Sequence, residues 1–158
     1  MQKIKSVCVL FILFALSSCI KPKEHEPWRH VWLRPVDGSQ VLTVITEGDR
    51  RYIIDGKHDS VPTTGYLLLD LSKVDRLGDA ISVCWGESGY SWKVVSAYAD
   101  VLENNLDTTK FLYYTCLGKY GEPSSKGYTG GNCGGVLIRE SSPPRGNLVL
   151  KYKGTNVD

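Results

Sequence analysis

Two β-prone runs, Val41-Leu42-Thr43-Val44-Ile45-Thr46 and Arg51-Tyr52-Ile53-Ile54-Asp55-Gly56, flank the turn-forming Glu47-Gly48-Asp49. Branched and aromatic side chains at this density favour extended backbone, and the glycine between them predicts a β-hairpin. Further strand-length runs follow at residues 66–71, 80–85, 110–117, 136–139 and 148–153. In the second of these, Ile81, Val83 and Trp85 alternate with Ser82 and Cys84, the pattern of a half-buried strand. Residues 92–106 read two ways, because Val94, Val95, Tyr98, Val101 and Leu102 also fall near helical spacing. A strand ending near Tyr98, then a short helical turn over residues 100–104, is the expectation. Turn signals at residues 61–65, 87–90 and 141–146 separate the runs. Seven or eight short strands predict an all-β chain: one small β-sandwich or barrel-like domain over residues 35–158, with at most one short helix. No internal repeat is visible, and the length suffices for one core.

The first residues read differently. Lys3 and Lys5 precede an almost continuous apolar run over residues 7–16, which closes on Leu16-Ser17-Ser18-Cys19. This order is that of a secretory signal, and its apolar stretch falls short of the roughly 20 residues that span a bilayer. Leu16-Ser17-Ser18-Cys19 resembles the lipobox of bacterial lipoproteins. The resemblance implies a signal peptide over residues 1–18, a mature chain beginning at an acylated Cys19, and, with Ile20 where aspartate would favour inner-membrane retention, an outer-membrane address facing the periplasm. The polar stretch containing Lys21, Pro22, Lys23, Glu24, His25, Glu26 and Pro27 reads as a tether, drawn here over residues 19–34. Of 19 Lys and Arg, Lys3 and Lys5 leave with the signal, so 17 basic side chains face 17 acidic ones. That balance carries no electrostatic footprint for nucleic acid.

Of five cysteines, Cys8 belongs to the signal and Cys19 to the lipid. An oxidising compartment predicts a disulfide among Cys84, Cys116 and Cys133. Cys133, inside Gly130-Gly131-Asn132-Cys133-Gly134-Gly135, is the expected first partner. Loop-closure entropy does not choose between Cys84 and Cys116 as the second.

Motifs for chemistry are weak. Gly86-Glu87-Ser88-Gly89-Tyr90 lacks the final glycine of a nucleophile elbow, so Ser88 reads as a turn residue. Asn132-Cys133-Gly134-Gly135 loosely resembles the nucleophile stretch of NlpC/P60 cell-wall peptidases. In that family the histidine base follows the cysteine, whereas His25, His30 and His58 all precede it here. No metal-ligand spacing appears, and residues 55–59 read as a solvated turn. Neither a metal nor a cofactor is expected, nor catalytic residues.

What remains is aromatic. Trp85, Tyr90, Trp92, Tyr98, Tyr113, Tyr114, Tyr120 and Tyr128 crowd the second half, with Trp85 and Tyr113 read as core. Tyr120 and Tyr128 lie in a Gly-rich loop ending near Asn132, where recognition of a protein explains them better than burial does. In outline the chain is similar to the immunity lipoproteins that neutralise periplasmic toxins, notably type VI effectors. The expected partners are the membrane, through Cys19, and a protein contacted by Tyr120, Tyr128 and Asn132. An inhibitor of lysozyme or another hydrolase, or an envelope-assembly or receptor-blocking lipoprotein, is the alternative.

Overall fold

The computed structural model describes residues 26–76, 78–87, 89–96, 98–115, 131–140 and 142–154. Cys19, Ser88, Cys116, Tyr120 and Tyr128 lie outside them. One turn of 3-10 helix, Pro27–Arg29, leads into eleven described strands: β1 (His30–Pro35), β2 (Leu42–Glu47), β3 (Arg50–Asp55), β4 (Tyr66–Asp70), β5 (Ala80–Glu87), β6 (Tyr90–Ser96), β7 (Asp100–Asn104), β8 (Phe111–Thr115), β9 (Cys133–Leu137), β10 (Arg145–Gly146) and β11 (Leu148–Tyr152). They form two sheets, β11-β1-β2-β3-β4-β7 and β10-β9-β5-β6-β8, giving the all-β sandwich the sequence predicts.

The expected hairpin is β2–β3. Its two-residue connection, Gly48-Asp49, places Gly48 at φ +59°, and the closing pair Glu47–Arg50 is oppositely charged. A glycine at positive φ in the first turn position matches the twist of the flanking strands. Alternation then sets the layers. Val31, Leu33, Leu42, Val44, Ile53 and Leu67 from the first sheet meet Ile81, Val83, Trp92, Val94 and Val136 from the second in one buried cluster. Trp85 and Tyr113 join it, as their sequence context implies.

Several boundaries differ from the sequence expectation, each for a physical reason. The tether was drawn to residue 34, but residues 30–34 are strand: Val31 and Leu33 point inward while β1 pairs with β2 on one side and β11 on the other. The expected helical turn over residues 100–104 is β7, an edge strand on β4. Pairing there shifts between Leu68–Glu103 and Leu69–Val101, leaving Leu102 as the extra residue of a bulge, and this break in alternation mimicked a helical period. The strand expected at residues 136–139 begins instead at Cys133. Gly134 permits it, since a Cβ there would lie 2.6 Å from both the Arg145 carbonyl oxygen and Leu148 Cβ. Residues 55–59 are more than a solvated turn, because the backbone at His58 is fastened to the outer face of the first sheet. The His58 amide donates to Thr43 Oγ1 (3.0 Å), and its carbonyl accepts from His30 Nε2 (2.9 Å) and Trp32 Nε1 (3.2 Å).

One connection is topologically demanding. β8 lies parallel to β6, so the chain must cross to the other sheet and back, and β7 is that crossing. The layers are also joined by polar contacts. At one pole Trp92 Nε1 donates to Asp55 Oδ1 (3.0 Å) and Gln40 Nε2 to the Ser91 carbonyl (2.6 Å). At the other, Arg51 of β3 is fully buried and forms a two-point ion pair with Asp79, just before β5. Arg51 Nε also reaches Thr46 Oγ1 (3.1 Å), and Arg139 Nε lies 3.4 Å from the second Asp79 oxygen.

Candidate recognition surface

β7 and β8 end their respective sheets on the same flank. Between them opens a cleft of about 190 Å³ lined by Val101, Asn104, Thr108, Phe111, Leu112 and Tyr113. The corner that carries the chain from β7 to β8 is held both to the segment before β4 and within itself. Asn105 Oδ1 accepts from the amides of Gly65 and Tyr66 (2.7 Å each), and Asp107 Oδ1 accepts from the hydroxyl (2.6 Å) and amide (3.0 Å) of Thr109. Those Thr109 bonds hold the Asp107 carboxyl below its ordinary pKa.

Two apolar side chains stand out from this flank. Leu102 is 53% exposed because the bulge turns it away from both layers. Tyr98, also 53% exposed, sits at φ +60° and is the one non-glycine with positive φ among the described residues. A bulky side chain in that region costs about 1–2 kcal/mol. Backbone strain of this kind concentrates at functional positions. The Tyr98 ring lies over Gly78, where an added Cβ would meet its Cδ2 at 3.4 Å. Acidic Asp100 and Glu103 are exposed on the same strand.

Of the residues singled out in sequence, Asn132 is exposed, and its carbonyl accepts from the Trp85 amide (3.0 Å). It lies at the pole opposite Tyr98, since Trp85 is near the end of β5 whereas Tyr98 follows β6 at the level where β5 begins. The structure therefore does not bring Asn132 and the Tyr98–Leu102 flank together. The disulfide joins Cys84 to Cys133 as a directly opposed pair on β5 and β9, which settles the choice that loop entropy left open. In this form Cys133 holds no free thiol. Trp92 is wholly buried, so its aromatic ring belongs to the core. Sequence reading missed Leu102 as a surface residue. The usable signal was Val101-Leu102 between Asp100 and Glu103, two adjacent apolar residues in an otherwise exposed edge strand, as a bulge requires.

The outer face of the first sheet carries a second aromatic group that is already engaged. Lys57 Nζ lies 5.1 Å from the Trp32 ring, His30 packs edge-on against Trp32 at 5.1 Å, and Tyr52 meets Tyr66 at 5.4 Å. Burial holds the His30 imidazole below its ordinary pKa, with Lys153 adding to the effect while the His58 carbonyl and Asp59 oppose it. Among the described residues no group of three or more His, Cys, Asp or Glu side chains converges to hold a metal, and no helix is long and apolar enough to cross a membrane.

Comparison of the chain with family models, with characterised proteins and with solved structures finds no significant match.

Proposed function

We propose that this protein is a lipid-anchored recognition protein of the periplasm, held at the outer membrane through Cys19, that binds and neutralises a protein toxin delivered there. The lipobox-like Leu16-Ser17-Ser18-Cys19 supports the address, and the Cys84–Cys133 disulfide agrees with an oxidising compartment. Tethering suits such a role because it raises the binder's effective concentration where the toxin arrives.

The observation that carries the binding role is the pairing of strain with exposure at Tyr98, together with the exposure of Leu102. A tyrosine kept at unfavourable φ and turned to solvent contributes nothing to the core, and tyrosine is favoured at interface hot spots. Tyr120 and Tyr128, outside the described residues, are proposed as further contact residues on the strength of their Gly-rich sequence context.

The test is coexpression with a toxin encoded beside this chain, scored by survival and by pull-down. Tyr98→Gly relieves the backbone strain and is expected to raise stability by about 1 kcal/mol while weakening protection. Tyr120→Ala with Tyr128→Ala is expected to weaken protection with the melting temperature unchanged. Full protection by Tyr98→Gly and Leu102→Ala variants would remove this flank from the interface. Inhibition of a lysozyme, with no effect on any neighbouring toxin, would replace the immunity reading.

A further inference from the structure

The turn Pro27–Arg29 leads directly into β1, and its contacts reach well beyond that strand. Trp28 packs against the main core. Two guanidiniums lie at cation–π distance from its ring, Arg29 at 5.6 Å and Arg139 at 5.7 Å. The Arg29 amide donates to the Glu26 carbonyl (3.1 Å), and the two side chains form an ion pair. Arg139 is only 16% exposed; its Nη1 donates to the Val74 carbonyl (3.2 Å), and its Nε faces Asp79. Asp79 is in turn paired with buried Arg51. A continuous line of contacts thus runs from Trp28 through Arg139 and Asp79 to Arg51 and Thr46, buried at this pole of the sandwich.

The geometry points to a latch: Trp28, gripped by Arg139, fastens residues 26–29 to the domain. Arg139 is suited to the task because its guanidinium bridges a buried carboxylate and an aromatic face at once, which lysine could not do with the same planar group. The latch stands independently of lipidation. Its consequence for orientation rests on the lipid-anchor reading: Glu26 is seven steps along the chain from Cys19, and fully extended chain spans at most about 25 Å over that count. Tyr98 lies over Gly78, and a Cβ on Gly78 would also lie 3.7 Å from Val74, the residue whose carbonyl Arg139 holds. The proposed recognition flank and the latch therefore share one pole, and the partner is met close to the membrane surface.

Limited trypsin digestion of the full chain tests the latch, comparing cleavage at Arg29–His30 with cleavage at Lys23–Glu24 as the upstream reference. In Trp28→Ala the relative rate at Arg29–His30 is expected to rise about tenfold, as local opening becomes cheaper. Arg139→Gln should reproduce the rise, since the Asp79–Arg51 pair remains to hold the core, and Trp28→Phe should stay within about twofold of wild type. Should Trp28→Ala unfold the domain, seen as a lost thermal transition, Trp28→Leu and Arg139→Gln decide the matter. Equal cleavage of wild type and Arg139→Gln would overturn the latch. So would a blue shift of tryptophan emission on mixing the protein with phosphatidylglycerol vesicles that is lost in Trp28→Phe, which would make Trp28 a membrane-inserting residue instead. Loss of Cys19 acylation would leave the digestion result intact and remove only the orientation.

Discussion

Replacing Asp79 with alanine leaves the buried guanidinium of Arg51 without its counter-ion. Arg51 is 0% exposed and Asp79 1%, and the pair makes two nitrogen–oxygen contacts, the longer at 3.0 Å. Breaking such a pair costs about 3–5 kcal/mol, because the surviving charge keeps its desolvation penalty and loses its attraction. Thr46 Oγ1 offers Arg51 one remaining neutral acceptor, which does not restore the charge balance. Against a typical total stability of about 5–15 kcal/mol, the loss is a large fraction of the whole. For a domain of this size it corresponds to a melting temperature lower by roughly 10–20 °C. The assay is urea unfolding followed by tryptophan fluorescence, on wild type, Asp79→Ala, and the double variant Arg51→Met with Asp79→Leu. The double variant should recover most of the loss, since replacing both charges with apolar groups removes the penalty along with the attraction. Arg139 then turns its head to solvent along its partly exposed side chain. An Asp79→Ala midpoint within about 1 kcal/mol of wild type, or a double variant no better than the single, would refute this reasoning.

The Cys84–Cys133 bond closes a separation of 49 residues, and its removal by Cys84→Ala with Cys133→Ala is expected to cost about 4 kcal/mol, read from urea midpoints; peptide mapping of the wild type should recover these two cysteines linked. Gly146→Ala should cost about 2–3 kcal/mol by thermal melting, because the residue holds φ +74° and a Cβ would overlap the Cys133 carbonyl and stand 3.0 Å from Gly134 Cα; Gly154→Ala, at φ +87° with open space around it, should cost about 1 kcal/mol. His30 has a folded-state pKa below its unfolded value of about 6.5, so the unfolded chain takes up the proton first as pH falls. Stability is thus full above that value and declines as pH drops through it toward the folded pKa. His30→Gln should flatten the slope between pH 7.5 and 5, and an unchanged slope would contradict the assignment.

Sequence was most informative where pattern and packing coincide. The β2–β3 hairpin was legible because a turn glycine sits between two branched runs and one face of each strand fills the core. β1 was hidden by its neighbours: the polar residues before it look like tether, and its strict alternation is only six residues long. β7 was misread because a bulge changes the period locally. The ion-pair network was hard to read, since Arg51 shares the inward face of Ile53 but its charge suggests solvent until Asp79, just before β5, is seen to meet it. The disulfide was half legible. Loops of about 17 and 49 residues differ by only about 1 kcal/mol in closure entropy, so the strand register, not the loop length, selects Cys84. Of the candidate site, aromatic composition drew notice to Tyr98 but not to its strained backbone, while the outward turn of Leu102 left only the adjacent apolar pair Val101-Leu102 as a trace.

β1 is flanked by β2 and β11, and the amide of Lys153 reaches back to the carbonyl of His30 (3.0 Å). The first described strand is thus completed only by the last described one. Until residues 148–152 are available the first sheet has a raw edge at β1, so this topology defers closure of that sheet until β11 has been made. Deleting the last strand should therefore yield a sticky, aggregation-prone intermediate in place of a slightly shorter protein.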